Sequence, residues 1–231
     1  MSKQKHLSRL AAPKSWPIVR KSTKWIAKSV PGPHSLQNGM PLVVWLCEVL
    51  KVARNKSEAK KILNQVLING SQRKEIRFPV GLFDTIGIPK IDKYYRVVLD
   101  ENGKLKLIEI SSSENGLVLT KVIKKTTLAK GKTQVTLSNG WNFLADPKEY
   151  SVGDSVLFNV SKKSVEKLPF VENSLCYVYR GKHVSSIGRV KEFVREGFKK
   201  YVLLDCEGET IKVPKDACFV VGKEKPVIKL K

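Results

Sequence analysis

The stretch Lys56-Ser57-Glu58-Ala59-Lys60-Lys61-Ile62-Leu63-Asn64-Gln65-Val66-Leu67-Ile68-Asn69-Gly70 changes its periodicity halfway along. Ala59, Ile62, Leu63 and Val66 stand at i, i+3, i+4 and i+7, the apolar stripe of a helix, with Ser57 as its expected cap. Lys60, Lys61 and Gln65 take the other face. Val66-Leu67-Ile68 then reads as a short strand. Asn69-Gly70 closes it, a dipeptide suited to a tight hairpin turn whose central residues need positive φ. Upstream, Pro41 followed by Leu42, Leu46, Val49, Leu50 and Ala53 predicts an earlier helix. Downstream, Arg73, Lys74 and Arg77 mark a basic strand. The order is helix, turn, basic helix, strand, turn, basic strand, so residues 41–92 are expected to form a small mixed module.

Beyond residue 92 the pattern is β. Tyr94–Leu99 and Leu105–Ile110 flank Asn102-Gly103, and Leu117–Thr127 and Thr133–Leu137 flank Gly131. Asn139-Gly140 precedes Trp141–Leu144, and Ser155–Val160 follows Gly153-Asp154. Short strands punctuated by Gly turns predict a small barrel or sandwich over 93–169. From 170 to 231 a separate small barrel is expected. Its strands are Leu175–Tyr179, Ile187–Val194, Lys199–Leu204, Thr210–Val213 and Cys218–Val221. The fold class is therefore α+β and multidomain.

Charge narrows the function. In 231 residues there are 43 Lys and Arg against 21 Asp and Glu, a net charge of +22, with 42% hydrophobic residues. The apolar share argues for folded material, and the charge for a polyanionic partner. Nucleic acid suits best, because neutralising phosphates releases condensed counterions. An anionic membrane is the competing partner. No uninterrupted apolar run is long enough to span a bilayer, and the N-terminus lacks the apolar segment of a secretory signal.

Residues 1–40 carry Lys3, Lys5, Arg9, Lys14, Arg20, Lys21, Lys24 and Lys28 without an acidic residue, and Pro13, Pro17, Pro31 and Pro33 interrupt any helix. This basic N-terminal extension is expected to lack a core of its own, to be poorly ordered in the free protein and to dock on RNA. Its candidate contacts are Lys5, His6, Arg9, Lys14, Arg20, Lys21 and Lys24, with Trp16 as a base-stacking candidate. Burial of Trp16 against Pro13 or Pro17 is the alternative.

Two further constellations are candidates. Arg54, Lys56, Lys60, Lys61, Arg73 and Lys74 crowd one supersecondary unit, where Glu58 and Glu75 are the only acids between Lys51 and Arg77. Lys56 and Lys60 lie one helical turn apart on the same side and could track successive phosphates. Arg180, Lys182, His183 and Arg189 flank a loop between strands, and Gly188 would let a backbone pass closely. Asp84, Asp92 and Asp100 are read as turn formers. Cys47, Cys176, Cys206 and Cys218 form no C-x-x-C pair and His6, His34 and His183 are scattered, so reduced thiols and no metal centre are expected. No nucleophile–base pair, P-loop or H-E-x-x-H appears, which argues against an enzyme.

The quoted stretch resembles the alpha-L RNA-binding motif, whose pattern is a cap, Glu-Ala, an apolar helix and a strand ending in Asn-Gly. Gln65 stands where that motif usually places glycine, which predicts a tighter or shifted turn. Arg180-Gly181-Lys182-His183 followed by Ile187-Gly188-Arg189-Val190 resembles a KOW motif. The whole order resembles the small-subunit ribosomal proteins of the archaeal and eukaryotic "four-e" family, collinearly along essentially the full length. Carrying the likeness are the run from His6 to Trp16, Pro31-Gly32-Pro33-His34, Phe78-Pro79-Val80-Gly81 with Asp84 and Ile88-Pro89, Leu168-Pro169-Phe170, and Phe219-Val220-Val221-Gly222 with Lys225-Pro226. The short end after Lys225-Pro226 is like the archaeal members.

The resemblance implies a basic extension (1–40), an alpha-L RNA-binding module (41–92), a β-rich central domain (93–169) and a KOW SH3-like β-barrel (170–231). It implies a cytoplasmic structural constituent of the small ribosomal subunit. Such a protein binds ribosomal RNA beside neighbouring ribosomal proteins, with no cofactor, metal, membrane or small-molecule substrate and no catalysis. A KOW-bearing transcription or translation factor that visits RNA transiently is the alternative. An alpha-L module tethering an RNA-modifying domain is a third reading, for which no catalytic constellation is visible.

Overall fold

The computed structural model describes residues 5–128, 131–160, 164–206 and 208–230. The chain divides into two compact units, Met1–Val98 with Lys104–Gly116, and Leu99–Gly103 with Leu117–Lys231.

The first unit opens with β1 (His6–Ser8), which pairs antiparallel with β2 (Trp25–Ala27). β3 (Gly39–Pro41) leads into α1 (Leu42–Val44), which widens into a π-type turn over Trp45–Val49. The regular helix expected through Ala53 is not formed. Leu42 to Leu46 are all buried, so the segment packs on every side, and it stops at Lys51, whose φ is 53°. Trp45 has no exposed surface and donates its indole N–H to the Val80 carbonyl at 3.2 Å.

α2 (Lys56–Ile62) starts one turn later. Its cap is Asn55, not Ser57. The Asn55 side chain accepts from the Glu58 amide at 3.0 Å, and the Glu58 carboxylate accepts from the Arg54 amide at 2.8 Å. Asn55 with Glu58 three residues on is the capping arrangement that satisfies otherwise orphaned helix-start donors, and Ser57 lies inside the first turn. A 3-10 turn over Leu63–Gln65 joins the helix to β4 (Leu67–Ile68). Asn69 and Gly70 then take φ of 52° and 72°, the tight turn expected of them, before β5 (Ser71–Gln72). β6 (Pro79–Gly81) pairs with β3. β7 (Thr85–Ile88), β8 (Lys93–Leu99) and β9 (Leu105–Ile110) complete a sheet ordered β5-β4-β7-β8-β9.

The N-terminal stretch is corrected by the structure. Residues 5–40 fold onto protein. Ala12, Trp16, Ile26 and Met40 are buried, the Leu105 amide donates to the Ser15 carbonyl and the Val30 amide to that of Arg77. The prolines that bar a helix leave an extended chain, which can lay its apolar residues on the adjacent core.

In the second unit β10 (Leu117–Thr127), β11 (Thr133–Leu137), β12 (Asn142–Ala145), β13 (Ser155–Asn159) and β14 (Ser164–Leu168) form an antiparallel sheet in the order β12-β11-β10-β13-β14. Its core gathers Val122, Val135, Leu137, Tyr150 and Val156, ringed by Trp141, Phe143 and Phe158 in edge-to-face contact. β15 (Leu175–Val178), β16 (Ile187–Glu196), β17 (Lys199–Cys206), β18 (Glu209–Pro214) and β19 (Cys218–Gly222) make the other sheet, ordered β18-β17-β16-β15-β19. Its core holds Cys176, Tyr177, Val190, Val202, Leu204 and Val220. Burial pushes the Cys176 and Cys218 thiols up to about 12 and about 11, so both remain protonated apolar fillers.

Candidate nucleic-acid interface

Helix α2 and the segment after β5 build a basic depression in the first unit. Lys56 and Lys60, one turn apart, line one side, and Lys5, Lys74 and Arg77 line the rest. Leu63, Asn64 and Ile76 also line this 530 Å³ space. Ala59 is fully buried on another side of the helix, and Leu63 closes the floor of the depression beside Lys56 and Lys60, which leaves the lysines facing outward. Glu75 also lies on the rim but is engaged by Arg77, whose Nε sits 3.4 Å from the carboxylate and whose amide donates to it at 3.1 Å. Among the described residues five cations thus face one open space in which a single carboxylate is already paired. Such a site can neutralise consecutive phosphates of a nucleic-acid backbone.

The structure therefore brings together Lys5, Lys56, Lys60 and Lys74, and adds Arg77, which charge pattern alone did not single out as a contact. Lys61 and Arg54 are exposed but lie outside the depression. Arg73 is half-buried with its guanidinium over the Phe78 ring at 5.1 Å.

Three candidates of the N-terminal stretch have structural work instead. Arg9 is buried and engaged by protein on all three nitrogens, with Nε donating to Thr23 Oγ1 at 3.0 Å, Nη1 to the Val19 carbonyl at 2.9 Å and Nη2 to Glu48 at 2.7 Å. Trp16 is 1% exposed, its indole N–H shared between the Leu36 and Gly39 carbonyls at 3.2 and 3.1 Å, so its faces are closed to a base. Arg20 is half-buried and braces the turn through the Ala12 and Pro13 carbonyls, each at 2.9 Å. The exposed aromatic is Trp25, half open to solvent, with the His6 ring edge-on at 4.8 Å and Lys24 Nζ 5.5 Å from the ring centroid. Lys14 and Lys21 are exposed. Tryptophan count could not tell Trp16 from Trp25. The signal that could is the strand alternation that buries Ile26 and turns its neighbour out.

In the second unit Arg180, Lys182 and His183 share the loop between β15 and β16, with Arg180 and Lys182 exposed and His183 half-buried, and Arg189 follows on β16. Arg180 lies 5.9 Å over the Tyr179 ring. Gly188 faces Cys176 across the ladder, and a Cβ there would come within 2.4 Å of Cys206 Sγ and 2.8 Å of the Asp205 carbonyl oxygen. The glycine is needed for that close approach.

Asp84 closes a turn, as expected, its amide donating to the Gly81 carbonyl at 3.1 Å, but it also does more. It is buried, 2.7 Å from His34 Nε2, and accepts from Asn69 Nδ2 at 2.8 Å and from the Gly81 amide at 2.9 Å. This network fixes Asn69, and so the hairpin turn that follows α2 and β4.

Comparison with known proteins places this architecture. The family model described as "Ribosomal family S4e" matches residues 91–165, and that of the "RS4NT (NUC023) domain" matches residues 1–37. Small ribosomal subunit protein eS4 of Methanothermobacter thermautotrophicus is 39% identical, the alignment covering 100% of this chain and 97% of the relative. The protein of the same name from Methanosphaera stadtmanae is 41% identical, again over 100% and 97%. The crystal structure of the 30S ribosomal protein S4e from Thermoplasma acidophilum superposes with a TM-score of 0.71 at 25% identity, covering 80% of this chain and 96% of that one. About 40% identity over essentially the full length of these relatives means that the chain belongs to the ribosomal S4e family.

Proposed function

We propose that this protein is a resident structural constituent of the small ribosomal subunit, in the cytoplasm, held by ribosomal RNA and flanked by other small-subunit proteins, and that it carries out no reaction of its own. The observation that carries the reading is the depression lined by Lys5, Lys56, Lys60, Lys74 and Arg77, set in a chain of net charge +22. Support also comes from the names of the relatives, which are small ribosomal subunit proteins. Residues 41–92 act in this reading as the alpha-L RNA-binding module, residues 93–169 as a spacing β domain, and residues 170–231 as a KOW SH3-like barrel whose Arg180, Lys182, His183 and Arg189 meet RNA. Affinity comes from phosphate contacts spread over both units, and register from RNA shape.

The test is the salt dependence of binding to small-subunit ribosomal RNA. Removing three phosphate contacts with Lys56→Ala, Lys60→Ala and Lys74→Ala together lowers the slope of log K against log salt by about two. Lys61→Ala, outside the depression, leaves it nearly unchanged. An unaltered slope in the triple variant would mean that these lysines do not touch phosphates.

A further inference from the structure

The hairpin of β16 and β17 ends in the two-residue turn Gly197-Phe198, between the paired positions Glu196 and Lys199. Gly197 has φ of 58°, as the first central position of a type II′ turn requires. The second position of such a turn accepts nearly any residue and is usually polar. Here it is Phe198, whose side chain is fully exposed. Neither the turn nor the core explains it. A single exposed apolar residue is ordinary by itself, but Phe198 is the most exposed of the large hydrophobics among the described residues, and it stands at a turn tip among cations.

The surrounding charges point the same way. Arg195 and Lys200 sit directly opposite each other across the ladder, both exposed. Like charges in that relation destabilise a hairpin. Among the described residues neither is in an ion pair, whereas Glu196 is bound by Lys212 and Lys191 by Asp205 at 3.3 Å. Arg195 Nε donates to the Gly197 carbonyl at 3.2 Å, which holds the guanidinium beside the tip. Lys199 follows Phe198 directly and is also exposed. The tip thus presents one bare aromatic face within a cluster of three uncompensated cations, on a ladder that continues past the buried Val202.

We propose that this tip is a further RNA-contacting element, in which Phe198 stacks on an unpaired base while Arg195, Lys199 and Lys200 hold the adjoining phosphates. Every base offers a π-face, so the contact is sequence-tolerant and selects single-stranded over paired RNA. An apolar pocket on a neighbouring protein would explain the ring but not the three cations. The proposal rests on the RNA-binding reading above, yet involves none of the residues of the α2 depression.

The experiment uses the full chain and two probes of equal length, an unstructured single-stranded RNA and a blunt RNA duplex, titrated by fluorescence anisotropy. Phe198→Ala is expected to weaken single-strand binding about ten-fold and to leave duplex binding unchanged, while Phe198→Trp retains both. Because the side chain is solvent-exposed, its removal does not disturb folding. Equal affinity of Phe198→Ala and wild type for the single strand overturns the proposal, as does an equal loss on both probes. Full retention by Phe198→Leu would mean an apolar contact without stacking, and also overturns it. The triple Lys56, Lys60 and Lys74 variant, run in parallel, separates the two readings. If it weakens binding while Phe198→Ala does not, the depression stands and the hairpin fails. If wild type binds neither RNA, both fall.

Discussion

His34 Nε2 lies 2.7 Å from Asp84 Oδ2, joining residues fifty positions apart within the first unit. Burial alone would push the imidazole down, but the charge of Asp84 and the hydrogen bond to it outweigh that and hold His34 above its ordinary 6.5. Burial would likewise raise Asp84, and is outweighed by His34, Asn69 and the Gly81 amide, which hold it below its ordinary 3.8. A raised histidine contributes stability that is full below its unfolded value and fades as pH rises through the folded one. A lowered aspartate contributes above its unfolded value and fades as pH falls through the folded one. The pair is therefore at full strength between the two ordinary values.

His34→Gln should cost about 3 kcal/mol in that window, because a buried carboxylate loses its cation. The cost should shrink as pH rises past the His34 transition. Urea unfolding of variant and wild type at about pH 5.5 and about pH 9 checks this. A cost that does not change with pH would show that His34 is neutral throughout.

Lys121 is another buried cation, on β10. Its Nζ donates to the carbonyls of Lys215, Asp216 and Cys218 at 3.1, 3.1 and 2.8 Å, tying the two sheets of the second unit together. Lys121→Met keeps the volume and strips those carbonyls of a shared donor. We expect a loss of about 2 kcal/mol in urea unfolding, and stability within experimental error of wild type would contradict the account.

Asn55 starts the helix that carries Lys56 and Lys60. Asn55→Ala removes the side-chain acceptor for the Glu58 amide and should cost about 1 kcal/mol. Fraying of the first turn loosens Lys56 in particular, so RNA binding should weaken, though less than when the lysines themselves are removed. Circular dichroism and RNA titration on the same preparation separate the two effects.

Gly188→Ala drives a methyl into Cys206 Sγ and the Asp205 backbone. The thiol can turn aside, but the carbonyl cannot without moving β17. A loss of about 2 kcal/mol is expected from this overpacking, measured by thermal or urea unfolding. An unchanged midpoint would show that the two strands are not so closely packed.

Much of the β structure was legible because hairpins announce themselves at both ends. Asn69-Gly70, Asn102-Gly103 and Gly131 each sit where their alternating flanks predict a turn, and strands form on both sides. Strand β14 gave no such sign, since Ser164-Val165-Glu166 is exposed throughout and pairs through its backbone alone. The cap at Asn55 was hidden by Ser57, an equally good capping residue, and only the reach of Glu58 separates them. Of the site, helical spacing gave Lys56 and Lys60, because i, i+4 is a local relation. The engagement of Arg9 by protein, the choice between stacking and burial for Trp16 and the buried network of Asp84 were not legible because the partners Glu48, Gly39 and His34 are remote in sequence, and charge or aromaticity alone does not reveal whether a side chain is already satisfied.

The most direct test of the central claim is sedimentation of a cell lysate through a sucrose gradient at moderate and then at high salt, with the protein followed by immunoblot. A resident subunit protein held by phosphate contacts travels with the small subunit at moderate salt and is released only at high salt. Recovery of the protein at the top of the gradient at moderate salt would contradict that account and indicate a factor that visits RNA transiently.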